Sequence, residues 1–137
     1  MSELGIYHTI AVLHEIVAGK AKPSALSVLI HDEAVFLSPV MHTPQKGRAL
    51  VEQYLGAALH LFSQYGFRYV REIVDGSDAA LEFTAEIDGI AVNGVDLIRI
   101  DDDGKIREFK VMLRPLKAIQ VVREKMLAQL SATQGKG

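Results

Sequence analysis

The chain has 137 residues, enough for one domain with a sizeable buried core. Its 49% hydrophobic content and complete lack of cysteine exclude a disordered chain, a disulfide framework, a thiol nucleophile and cysteine-ligated metal. The net charge of −2 gives no electrostatic footprint for nucleic acid, the apolar runs are too short and too broken by charge to span a bilayer, and Met1-Ser2-Glu3-Leu4 lacks the basic-then-apolar start of a signal peptide, so a cytoplasmic protein with neither nucleic-acid nor membrane partners is expected.

Residues 4–18 read as a helix, because Ile6, Ile10, Leu13 and Val17 recur at helical spacing and Gly19 stops the pattern. Pro23 suits the first turn of a short second helix ending at Leu29. His31-Asp32-Glu33 is expected to be a polar connection, 34–38 a first strand halted by Pro39, and 40–46 a loop. A long helix follows over 47–64, with Leu50 or Val51, Tyr54 or Leu55, Ala58, and Leu61 or Phe62 as its stripe. The period then changes to two. Residues 67–75 form a strand and Asp75-Gly76-Ser77-Asp78 a turn. Over 79–88, Ala79, Leu81, Phe83, Ala85 and Ile87 face one way and the polar residues the other.

Asp88-Gly89 is a hairpin signal, 90–100 the next strand, and Asn93-Gly94 suggests a bulge inside it. Asp101-Asp102-Asp103-Gly104 turns the chain, 105–113 returns, and Pro115 opens a last helix to about residue 130. Residues 1–130 are thus expected to form one domain and the polar, glycine-rich 131–137 a flexible tail. Helices come early and strands cluster late, which predicts an α+β fold with a curved, mostly antiparallel sheet wrapped around helices, a cone with an internal pocket.

One position breaks the apolar pattern. Counting by twos along the 90–100 strand, Asp96 shares its face with Ile98 and Ile100. A carboxylate there costs several kcal/mol if charged and unpaired, so Asp96 is either neutral, with a raised pKa suited to proton transfer near pH 7, or paired, with His14 or Arg114 as partners. Phe36, Tyr54, Phe83, Ile98 and Met112 are the expected apolar lining, with Met41 and His42 at its mouth; such walls suit a small hydrophobic molecule. The plainer alternatives are a core role for the lining residues, an exposed loop position for His42, and for Asp96 a carboxylate satisfied by backbone amides or a bulge near Gly94. Two sharper motifs fail: His14-Glu15-Ile16-Val17-Ala18 has Ala18 where a zinc-binding helix needs its second histidine, and the Asp101 run lacks the glycine and glutamate of a calcium loop. No metal or cofactor is called for.

The order and spacing of five segments resemble the NTF2-like superfamily and, within it, the SnoaL-like group. They are the first helix with Gly19, His31-Asp32-Glu33-Ala34-Val35-Phe36 before Ser38-Pro39, Gly47-Arg48 opening the long helix, Val95-Asp96-Leu97-Ile98-Arg99, and Asp103-Gly104-Lys105-Ile106. The resemblance implies a cystatin-like cone and cofactor-free chemistry, with dimers commonly formed through the outer sheet face. Set against the ketosteroid isomerase pattern, the strand aspartate is kept at Asp96, the base position falls on Ser38 and the oxyanion tyrosine on His14, which argues against that activity because serine is no base without an activating partner. In SnoaL-like cyclases an equivalent aspartate is the acid/base, and that reading remains; the Arg and two Asp of limonene epoxide hydrolases have no match on the final strand, which offers Lys110, Met112 and Arg114. Three expectations therefore stand. One is an isomerase, cyclase or hydro-lyase acting on a small hydrophobic carbonyl compound, with Asp96 as acid/base, His14 as its partner and Ser38, Met41, His42 and Arg114 among the ligand contacts. The others are a non-catalytic binder of such a molecule and a homodimeric interaction module.

Overall fold

The computed structural model describes residues 2–135. A first helix, α1 (Ser2–Val17), buries Ile6, Ile10, Leu13, Ile16 and Val17, and a 3-10 helix covers Pro23–Leu29. Strand β1 (Ile30–Leu37) and the two-residue β2 (Gln45–Lys46) precede α2 (Arg48–Phe62). Then come β3 (Arg68–Asp75), β4 (Asp78–Ile87), β5 (Ile90–Ile100), β6 (Ile106–Arg114) and α3 (Leu116–Gly135). The six strands make one sheet in the order β2-β1-β6-β5-β4-β3, with β3 to β6 a continuous antiparallel meander. Only the β1–β6 pairing is parallel. This is the expected α+β architecture, a mostly antiparallel sheet with the helices packed against its inner face.

Three local expectations are corrected. His31, Asp32 and Glu33 are not a connection: they extend β1, which pairs with β6 from Ile30 to Leu37 across an irregularity between Ile30 and Val35. No bulge occurs at Asn93-Gly94, where β4–β5 pairing is unbroken. Gly94 is there because a Cβ would lie 2.5 Å from Phe83 Cζ, 2.7 Å from Leu113 Cδ2 and 2.8 Å from the Met112 carbonyl oxygen. Lastly, α3 runs on to Gly135 and takes in most of the segment read as a tail, since Ser131-Ala132-Thr133-Gln134 contains no helix breaker. The Asp88-Gly89 hairpin forms as expected. Both residues take left-handed φ angles, 53° and 79°, the geometry of a two-residue turn that matches strand twist.

That tight turn sets the register of the central hairpin. Ile87 faces Ile90, and counting inward places Asp96 opposite Leu81 on one side and Val111 on the other. Ala79, Leu81, Phe83, Ala85 and Ile87 of β4 and Val92, Ile98 and Ile100 of β5 are buried on this inner face beneath the helices. Among the described residues no helix is long and apolar enough to cross a membrane.

Candidate functional site

Strand alternation points Asp96 inward, and it is only 4% exposed. Its neighbours on the wall are apolar: Phe83 from β4, Phe109 and Val111 from β6, Leu55, Leu59 and Phe62 from α2, and Val122 and Met126 from α3. Phe36, Ser38, Pro39 and Val40 close the wall from the end of β1 and the turn after it. The cavity between them is small, about 20 Å³, room for roughly one water molecule. Aromatic rings fill one end, where Phe67 stacks on Phe83 at 4.5 Å and Phe62 meets both at 5.5 Å.

The carboxyl has one hydrogen-bond partner among the described residues. Tyr69 on β3 donates its hydroxyl to Asp96 Oδ2 at 2.8 Å. Burial penalises the carboxylate and pushes the Asp96 pKa up to about 7, while the Tyr69 hydrogen bond opposes the rise. Burial likewise drives the Tyr69 phenol well above its ordinary value, and the Asp96 charge adds to that. At neutral pH the pair is a phenol that keeps its proton beside a carboxyl poised to gain or lose one.

His14 does not meet Asp96. It is exposed on α1, its Nε2 pairs with Glu72 Oε1 of β3, and its ring lies 5.1 Å from that of Tyr69, which stands between it and the carboxyl. The buried stripe of α1 passes through Leu13 and Val17, and position 14 is rotated about 100° from Leu13, toward the rim. Of the other expected contacts, Phe36, Ser38 and Phe83 are brought together with Asp96. The Ser38 hydroxyl accepts from the Val40 N–H at 3.2 Å. Met41 and His42 line a separate cleft against α3. Tyr54 packs beside the core without reaching the cavity, and Ile98, two residues along β5, is buried beside Ala79 and Phe109. Met112 and Arg114 alternate with Val111 and Leu113, so the pleat turns them to the outer face, where they line an open groove with Arg71 and Ile73. Arg114 therefore cannot pair with Asp96.

Tyr69 is the site residue that sequence reasoning missed. Counting back from the Asp75–Asp78 turn pairs Arg71 with Glu82 and would set Tyr69 opposite Thr84, on the outer face. An irregularity at Val70 shifts the register so that Tyr69 faces Phe83 instead and turns inward. Nothing in the local sequence marks that extra residue.

A family model for the SnoaL-like domain matches residues 12–109. Among solved structures, a steroid delta-isomerase from Pseudomonas aeruginosa is 35% identical, with 96% of this chain and 95% of that one covered and a TM-score of 0.87. An uncharacterised bacterial protein with a cystatin-like fold from Silicibacter pomeroyi is 31% identical, covering 91% and 86% with a TM-score of 0.76. An NTF2-like protein of unknown function from Mesorhizobium loti shares the fold at 24% identity, 83% and 93% coverage and a TM-score of 0.70. No curated protein matches the chain.

Proposed function

The chain belongs to the SnoaL-like domain family, and from that premise we propose that it binds a small hydrophobic carbonyl compound against Asp96 and moves a proton at that carboxyl, as a cofactor-free isomerase, cyclase or hydro-lyase. The observation that carries this reading is the lone carboxyl set in an apolar wall and held by Tyr69. Neutral Asp96 can lend its proton to a carbonyl oxygen, and ionised Asp96 can accept one from an adjacent carbon or from water. An acid whose pKa lies near the working pH serves both steps. Because Tyr69 occupies Oδ2, the free oxygen Oδ1 is the one offered to a ligand. Tyr69 is then a positioning residue. Its hydrogen bond fixes the carboxyl plane and favours the ionised form.

The likeness to the Pseudomonas steroid delta-isomerase supports an isomerase-type reaction, but Ser38 brings a hydroxyl already engaged with Val40 N–H, so a two-carboxylate mechanism has no second carboxylate here. The same fact favours a second reading, a binder of the same class of molecule without turnover. A ¹³C carboxyl titration tests the shared premise. Asp96 is expected to titrate near pH 7 and, in Tyr69→Phe, higher, because the lost hydrogen bond had stabilised the carboxylate. A carboxyl titrating near pH 4 in the wild type, or an Asp96→Asn variant that turns over a found substrate at the wild-type rate, would remove the acid/base role of Asp96, and a wild type that binds such a compound without turning it over would leave the binder.

We also propose a homodimer through the outer sheet face, where Ile73 is 57% and Met112 48% exposed beside a groove of about 420 Å³. Light scattering is expected to give twice the chain mass; a monomer at high concentration would count against it.

A further inference from the structure

The cavity beside Asp96, about 20 Å³, is too small for any carbonyl compound as it stands, and the room lies next to it. A cleft of about 190 Å³ between α3 and the turn after β1 shares two wall residues with the cavity, Val40 and Met126. Met126 is the partition that can move: its unbranched, polarisable side chain has three rotatable bonds and changes rotamer at low cost. Beyond that partition the cleft changes character. Its floor stays apolar, but its polar groups are Arg123, His42 and the Thr43 hydroxyl, and no carboxylate lines it. Arg123 is exposed and has no ion-pair partner among the described residues, unlike Lys125 two residues on, which pairs with Asp88.

Resting on the carbonyl-compound reading above, we propose that the ligand is an amphipathic monoanion whose apolar body passes Met126 toward Asp96 and whose carboxylate is held at the cleft by Arg123 and His42. The guanidinium presents paired N–H donors matched to a carboxylate, and a charge-assisted bond of this kind is stronger than a neutral one. The arrangement also keeps the ligand's charge on the solvent side of the partition. That leaves the buried wall around Asp96 free of a second anion, which the surrounding apolar side chains could not solvate.

Selective ¹³C labelling of the methionine methyl groups tests this directly, because Met41 and Met126 line the cleft while Met112 lies on the outer sheet face and serves as an internal control. Titration with octanoate is expected to shift the Met41 and Met126 signals and leave Met112 unmoved. Octan-1-ol should bind about tenfold more weakly, and Arg123→Gln should weaken octanoate by about tenfold while leaving octan-1-ol unchanged. Equal affinity for acid and alcohol, no effect of Arg123→Gln, shifts confined to Met112, or no shift at all would each overturn the proposal. The carboxyl titration of Asp96 is read separately. An octanoate preference that persists while Asp96 titrates near pH 4 keeps the anion site and removes the acid/base reading.

Discussion

Asp96→Asn is expected to be more stable than the wild type at pH 8, by on the order of 2 kcal/mol, with the advantage disappearing toward pH 4. The sign follows from proton linkage. In the folded chain burial raises the Asp96 pKa to about 7, against about 4 in the unfolded chain. Between those values the folded state holds more protons than the unfolded one, so Asp96's contribution to stability is fully present below pH 4 and is lost as the pH rises through 7. Above that, the wild type buries a carboxylate with one hydrogen bond in an apolar wall. Asparagine keeps an acceptor for the Tyr69 hydroxyl and carries no charge. Its N–H₂ group finds no assured partner, which is why the expected gain is smaller than the full linkage term. Urea unfolding of both proteins at pH 5 and pH 8 reads the effect as a difference between them, which cancels the other titrating groups. Parallel midpoints at the two pH values would show that Asp96 ionises normally in the fold. A gain in stability on removing the buried acid would show that Asp96 does not serve folding.

Gly94→Ala should destabilise the fold by about 3 kcal/mol, although it adds a single methyl group to a strand. The new Cβ would sit 2.8 Å from the Met112 carbonyl, which is backbone in a paired strand and cannot retreat without breaking the β5–β6 ladder. It would also strike the Phe83 ring, which lies across Gly94 and stacks on Phe67. Replacing Phe83 by Leu in the same chain removes one of the three collisions, so the double variant should lose less than the sum of the single losses. Strict additivity would mean that the Phe83 ring does not press on this position. Gly94 lies on the carboxyl's own strand, two residues from Asp96, and Phe83 faces it from β4 and lines the same cavity, so the packing that forbids a side chain at 94 also holds the wall in which Asp96 sits.

How much of this was legible in the sequence depends on how locally each feature is encoded. The meander was legible, because alternation over β4 and the Asp88-Gly89 turn set strand limits and register together. Asp96 was legible as an inward carboxylate for the same reason. Gly94 was noticed and misread as a bulge, since a glycine in a strand looks the same whether it bends the chain or admits a neighbouring ring. Met112 and Arg114 were placed inside although their alternation with Val111 and Leu113 turns them out. Whether His14 reaches Asp96 depends on how α1 packs against β3, where Glu72 takes the imidazole, and no local pattern encodes that.

By itself, then, the sequence determined the fold class, the order of the strands β3 to β6 and the burial of Asp96, because periods of two and 3.6 residues and tight turns are local properties that survive without knowledge of the partner. Only the tertiary structure decided what the carboxyl touches. One unpaired residue at Val70 reverses the face of everything before it on β3 and brings Tyr69, not His14, to Asp96. It also decided that the space beside Asp96 is nearly full while the adjoining cleft is not, because packing volume is set jointly by α2, α3 and the sheet, elements far apart in the chain.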